Sequence, residues 1–101
     1  MSLDPMNITK EQKKQLKSMA HHLKPVIMIG QNGLTTAVCE EIDRALDQHE
    51  LIKVKIAADK KARLIIIDEI VDKTASLPIH KIGQMGIFFR RNTKDPKVIL
   101  V

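Results

Sequence analysis

The spacing of apolar residues along the chain switches between a helical and a strand-like period, which is typical of an α/β domain. Apolar positions three or four residues apart predict three helices, at Lys10–His22, Thr36–His49 and Lys60–Ala75. Continuous or alternating apolar runs predict four strands, at Val26–Ile29, Leu51–Ile56, Ile79–Ile82 and Met85–Arg90. The third helix is the least regular, because Leu64–Ile67 also suits a strand, but Ile70, Val71 and Thr74 restore the helical period.

Individual residues further specify where the first helix begins and ends, how the first strand is buried and where the third strand lies in the sheet. Thr9 is a suitable N-cap for the first helix, with Gln12 at the capping-box position, and Pro25 requires that helix to end before Lys24. The first strand is apolar at every position, which predicts burial on both faces. Pro78 near the start of the third strand favours an edge position, because proline cannot donate to a central ladder.

The order of the elements predicts the sheet. Helices connect the first three strands, so right-handed crossovers make those strands parallel, and the fourth strand turns back antiparallel. The expected fold is a two-layer αβαβαββ domain, with the crossover helices on one face of a mixed four-stranded sheet. The carboxyl ends of the parallel strands then meet at one edge, where ligands bind in open α/β sheets. Three loops share this edge: Gly30–Gly33, Ala57–Lys61 and Gly83–Gln84.

The first of these loops, Gly30-Gln31-Asn32-Gly33, lies between a strand and a helix. Glycine permits a sharp turn and lets a phosphate approach without meeting a Cβ. The helix behind the loop offers unpaired N–H groups and the positive end of its dipole. The same glycines also occur in turns for purely geometric reasons, so the motif gains weight only from its surroundings.

Basic residues cluster at the same predicted edge, namely Lys55, Lys60, Lys61, Arg63 and Lys81. Lys60 and Lys61 stand in the first turn of the third helix, where cations oppose the dipole, and such local violations often mark function. The alternative is that Asp59 caps the helix and the lysines only face water. Arg90, Arg91 and Lys94 form a second cluster at the opposite edge, which is either a second contact or a solvated end.

Composition narrows the class of partner. The 101 residues carry a net charge of +5, which favours an anionic partner, nucleic acid before a membrane surface. Phe88 and Phe89 are the only aromatic residues, so bound RNA would be contacted through its backbone and shape, and structured RNA is favoured. The single cysteine, Cys39, excludes an internal disulfide and a cysteine zinc site.

The sequence offers no constellation for an enzyme. His21, His22, His49 and His80 have no metal-ligand spacing, no nucleotide-binding glycine motif is present, and no nucleophile has a recognisable base. We therefore expect a non-enzymatic protein without cofactor, metal or small-molecule substrate.

Several segments together resemble the YhbY family of small bacterial RNA-binding proteins, built on the CRM (chloroplast RNA splicing and ribosome maturation) domain. They are Leu23–Val26, Ile29–Thr35, His49–Ile56 and Ile82-Gly83, and the resemblance covers about residues 7–95. It implies a fold similar to the C-terminal domain of translation initiation factor three, with a KH-like Gly-x-x-Gly loop. It also implies RNA binding and association with the precursor of the large ribosomal subunit. Gln31 and Asn32 are neutral where many family loops carry a basic residue, so more of the phosphate contact falls to Lys60, Lys61 and Arg63.

These observations define the expected protein. Residues 1–5 are interpreted as a cloning remnant before a second start at Met6, and residues 6–101 as one RNA-binding domain. We expect a cytoplasmic monomer that binds ribosomal RNA of the large-subunit precursor, with no membrane partner. The alternative is a protein–protein adaptor whose basic surface meets an acidic partner.

Overall fold

A computed structural model describes residues 7–101, so the interpretation of residues 1–5 lies outside the described residues. Within that range the elements follow the predicted order αβαβαββ. The helices are α1 (Lys10–Ala20), α2 (Thr36–His49) and α3 (Lys60–Thr74), and the strands are β1 (Ile27–Ile29), β2 (Leu51–Ile56), β3 (Leu77–Ile82) and β4 (Met85–Phe89). None of these helices combines the length and the apolar composition that crossing a membrane requires.

Side-chain caps explain where the helices begin. Thr9 and Gln12 form the predicted capping box at α1, and the Thr35 hydroxyl accepts a hydrogen bond from the Val38 N–H at α2. The Asp59 carboxylate accepts from the Ala62 N–H at α3, at 2.9 Å. α1 ends at Ala20, two residues before its predicted end.

The sheet has the order β1-β2-β4-β3. β1 and β2 pair in parallel, while β4 lies antiparallel between β2 and β3. The predicted strand directions are therefore confirmed: β1, β2 and β3 run the same way and β4 runs against them. β3 lies at an edge, as Pro78 indicates, and a register shift interrupts its pairing between Pro78 and His80.

Helices α2 and α3 pack on one face of the sheet, as predicted, over a core that includes Ile29, Ile56 and Phe88. α1 and the C-terminal segment (residues 90–101) pack on part of the other face, around Leu51, Ile87 and Phe89. The two-layer description therefore applies to the crossover helices, and α1 adds a partial third layer. This layer was not expected, because the amphipathic stripe of α1 does not specify which face it covers.

The prediction that β1 is buried on both faces is wrong. Ile27 and Ile29 are buried, but Met28 between them is 65% exposed. β1 is an edge strand, and α1 and the C-terminal segment cover the opposite end of that sheet face. The strand is apolar at every position because Ile27 and Ile29 face the core and Met28, on the open face, also happens to be apolar.

Candidate nucleic-acid interface

Three loops meet at one edge of the sheet, which we call the loop edge (residues 30–33, 57–61 and 83–84). The Ala57 N–H donates to the Ile29 carbonyl at 2.9 Å, which joins the ends of β1 and β2. The Ile56 N–H donates to the Gln84 carbonyl at 2.7 Å, which joins the end of β2 to the β3–β4 turn. The structure therefore places the three loops next to one another.

The glycine loop is a tight turn that presents its backbone. The Gly33 N–H donates to the Gly30 carbonyl at 3.1 Å, and Gly33 adopts a φ of 69°. The N–H groups of Gln31 and Asn32 donate no hydrogen bond within residues 7–101. Because α2 has no acidic residue in its first turn, its positive dipole end also stays available behind the loop. The loop thus offers backbone donors to an anion.

Gly30 differs from the other glycines. A Cβ built at Gly30 would meet no heavy atom within 4 Å, and its φ lies outside the left-handed region. Gly33 and Gly83 have positive φ, and a Cβ at Gly86 would lie 2.9 Å from the Phe88 ring. The fold therefore has a reason for glycine at the other three positions, whereas no contact within residues 7–101 requires it at Gly30.

The start of α3 lies across from the β3–β4 turn. A cavity of about 290 Å³ separates them, lined by Lys60, Arg63, Lys81 and Gln84 together with apolar side chains. Lys60 and Lys61 are exposed in the first helical turn. The Arg63 guanidinium donates to the Ala58 carbonyl, so part of its role is to hold the loop after β2. The sequence placed the loop of Gln84 at this edge, but it did not identify Gln84 as a site residue because an uncharged amide carries no signal of its own.

Lys55 lies on the other side of the sheet from α3. It pairs with Met28 and Met85, whereas its neighbours Val54 and Ile56 are buried under the helices. Ile82 pairs with Met85, so a row of four side chains crosses the open sheet face next to the loop edge. The predicted site residues therefore lie on both sides of the loop edge, with Lys55 on one and the α3 cations on the other.

The cations of the two ends of the molecule differ in their partners. Within residues 7–101, salt bridges involve Arg90 with Asp43 and Asp47, Arg91 with Glu50, and Lys97 with Asp95. None of the predicted cations at the loop edge has an acidic partner within residues 7–101. Arg90 and Arg91 therefore hold the end of β4 to α2 and to the C-terminal segment. Of the two roles considered for that cluster, a solvated end is wrong for these two arginines, and a second contact stays an alternative.

The described residues contain no group of three or more His, Cys, Asp or Glu side chains that is suited to a metal ion. Cys39 is a partly exposed free thiol on α2. The chemistry of the loop edge is thus that of backbone donors and unneutralised cations, which suits a phosphate-bearing ligand.

Three known proteins are similar to this chain over most of its length. A probable RNA-binding protein of Pseudomonas aeruginosa is 47% identical over 93 residues, covering 91% of this chain and 89% of that protein. An RNA-binding protein of Haemophilus influenzae is 46% identical over 84 residues, covering 82% of this chain and 85% of its own length. The solution structure of a Staphylococcus aureus protein, presented as a candidate RNA-binding protein, superposes with a TM-score of 0.80 at 27% identity, covering 94% of this chain and all of that one.

The family resemblance seen in the sequence is also confirmed. Residues 8–90 match the family model described as the CRS1 / YhbY (CRM) domain. That range begins before α1 and includes all four strands and the three loops of the loop edge. The chain belongs to the CRS1/YhbY (CRM) domain family.

Proposed function

We propose that this protein binds RNA without catalysing a reaction, and that it does so by holding the phosphodiester backbone at the loop edge. The observation that carries the proposal is the concentration of unneutralised cations and free backbone N–H groups at this edge. Lys55, Lys60, Lys61 and Lys81 would supply charge, and Gly30–Gly33 would let the backbone approach. The names of the relatives from Pseudomonas and Haemophilus support RNA as the ligand class.

Gly30→Ala tests this proposal directly. The free protein has space for the added methyl group, so the melting temperature should stay the same or rise slightly. A bound phosphate at the loop would meet that methyl group, so the affinity for RNA should fall by about tenfold or more, the loss of one charge-assisted hydrogen bond. Fluorescence anisotropy with labelled RNA and thermal unfolding provide the two readouts.

Gly33→Ala is the comparison variant, because its φ of 69° makes any weaker binding there a mixture of backbone strain and steric effect. Unchanged RNA affinity in a stable Gly30→Ala protein would remove the glycine loop from the binding surface. Absence of RNA binding by the wild-type protein would contradict the function itself.

The finer proposal is that the RNA is ribosomal RNA of the large-subunit precursor and that the protein acts as a cytoplasmic monomer in ribosome assembly. The family resemblance of the sequence supports it. Sedimentation of a cell lysate at low and high salt, with detection of this protein, provides the test. Salt-sensitive migration with the large subunit or its precursor is expected, and migration only at the top of both gradients would contradict a stable association.

A protein–protein adaptor is the second candidate, and the open sheet face favours it. Met28 and Ile82 are 65% and 46% exposed on that face, and exposed apolar side chains of this size suit a protein partner. A complex that survives nuclease treatment and is lost in Met28→Ser would support the adaptor. Dispersal of the complex by nuclease would support RNA.

A further inference from the structure

A second basic surface lies along the free edge of the sheet. β3 is an edge strand, and a groove of about 530 Å³ follows it between α1 and α3. Lys13 and Lys17 of α1 form one wall, and His80 and Lys81 of β3 form the floor. The sequence analysis found no metal-ligand spacing for His80 and did not include the α1 lysines in the predicted site. Only the packing of α1 against β3 brings these residues together.

The charge in this groove is poorly balanced. Lys13, Lys17 and Lys81 make no salt bridge within residues 7–101, and Asp68 of α3 is the one carboxylate among the lining residues. Partial burial, and then the positive charges of Lys17, His21 and Lys13, lower the pKa of His80 below its ordinary value. Cations that face one another without counterions favour an anionic ligand.

The groove is continuous with the loop edge. Lys81, Leu64 and Ile67 line both the groove and the cavity between α3 and the β3–β4 turn. A strand of RNA that leaves the loop edge past Lys81 would therefore enter the groove without crossing an acidic or covered surface other than Asp68. This continuity favours the same ligand in both places over a separate acidic protein segment.

We propose that the groove between α1 and α3 binds a second stretch of the RNA backbone, which continues from the loop edge along β3 to Lys13 and Lys17. This inference rests on the proposed function, since it extends the path of the same ligand. The site would neutralise phosphates and carry no preference for base sequence.

His80 makes this binding dependent on pH. It faces Lys13 and Lys17 of α1, His21 at the C-cap of α1 and Asp68 of α3, beside Lys81 on its own strand. In the free protein the neighbouring cations favour neutral His80, whereas phosphates in the groove would favour the imidazolium and raise its pKa. Binding would then take up a proton, so the affinity should increase as the pH falls through the range in which histidine titrates.

The first test compares two double variants of α1. Lys13→Gln/Lys17→Gln removes the charges of the groove wall, whereas Lys10→Gln/Lys14→Gln removes two exposed charges of the same helix that do not line the groove. Binding of two labelled RNAs, a hairpin and a single-stranded oligouridylate, is measured from about 50 mM to about 200 mM salt. The groove variant should weaken binding and reduce the slope of log affinity against log salt by roughly 0.7 for each phosphate that is no longer neutralised. The control variant should change the slope by less than half as much.

The second test measures the same binding at about pH 7.5 and about pH 5.5, a range in which uracil does not titrate. The wild-type affinity should rise at the lower pH by up to about tenfold for each pH unit, the limit for one linked proton. His80→Gln should remove most of this rise, and His49→Gln, at the far end of α2, should retain it.

The outcomes separate this inference from the proposed function. Wild-type protein that fails to bind RNA would contradict both. RNA binding that responds to Lys60→Gln/Lys61→Gln but responds equally to the two α1 variants would overturn only the groove. Polyglutamate binding that depends on Lys13 and Lys17, with RNA binding that does not, would assign the groove to an acidic protein.

Discussion

Glu50 shows how a single residue can hold the C-terminal segment. Its carboxylate is completely buried, pairs with Arg91 at 3.0 Å, and accepts hydrogen bonds from the backbone N–H groups of Asn92, Lys97 and Val98. Burial alone would raise the pKa of Glu50, but those N–H groups and the Arg91 charge outweigh it and hold the pKa below the ordinary value of 4.5. Glu50 also adopts a φ of 61°, which is unfavourable for a residue with a side chain. The hydrogen bonds and the salt bridge of its carboxylate compensate for this backbone conformation.

Glu50→Gln should therefore reduce the free energy of unfolding by about 2–4 kcal/mol, because several buried N–H groups lose a charged acceptor. A depressed folded-state pKa means that the carboxylate stabilises the fold fully above about pH 4.5 and loses that effect as the pH falls through the folded value. Urea unfolding from neutral to acidic pH should show the wild-type stability approaching that of Glu50→Gln.

Asp95→Asn is the matched control, since Asp95 is an exposed residue whose carboxylate pairs, among residues 7–101, with the Lys97 ammonium alone. Its effect should stay within about 0.5 kcal/mol. A constant difference between wild type and Glu50→Gln across the whole pH range would contradict the assigned role of the carboxylate.

At the scale of elements, the charges in the first turn of α3 make this helix less stable. Lys60 and Lys61 follow the Asp59 cap, and the turn contains no acidic residue. Two cations at the positive end of a helix dipole are unfavourable, and no acidic partner within residues 7–101 compensates for them. An RNA ligand at the loop edge would account for this arrangement.

Lys60→Glu/Lys61→Glu should raise the stability of the free protein by about 0.3–1 kcal/mol for each substitution, and it should nearly abolish RNA binding. Lys73→Glu, in the last turn of the same helix, is the control: it should lower stability by a similar amount and leave RNA affinity almost unchanged. Thermal unfolding and RNA titration of both variants distinguish the two effects. Strong RNA binding by Lys60→Glu/Lys61→Glu would remove the start of α3 from the interface.

The elements also show what the sequence could predict. Capping residues and periodicity located α2, β2 and α3 to within one residue, because the signals for their ends are local. The insertion of β4 between β2 and β3, and the packing of α1 on the other face, depend on interactions between distant segments. For that reason the loop edge could be predicted from strand directions, and the face of Lys55 from its alternation with Val54 and Ile56, whereas the groove at His80 required the structure.

At the scale of the whole molecule, the cations differ in whether they have acidic partners, which the net charge of +5 does not reveal. At the end that contains the carboxyl terminus of β4, Arg90 pairs with acidic side chains of α2, and Arg91 pairs with Glu50, the residue before β2. At the loop edge and along β3 the lysines lack such partners within residues 7–101. Because the loop edge combines such lysines with the free N–H groups of the glycine loop, we expect RNA to bind there, whereas Arg90 and Arg91 maintain the fold.

Arg90→Gln tests this division. Arg90 joins Asp43, Asp47 and the Thr74 carbonyl. Burial alone would lower the pKa of Arg90, but the hydrogen bonds and charges of the two aspartates outweigh it and keep the pKa raised.

Loss of the guanidinium should destabilise the protein by about 1–2 kcal/mol, because it satisfies several acceptors at once. RNA affinity, measured where the variant is folded, should remain within about twofold of wild type, the size expected for a charge outside the interface. A decrease comparable to that of Lys60→Gln/Lys61→Gln would instead extend the RNA surface to Arg90 and contradict this division of roles.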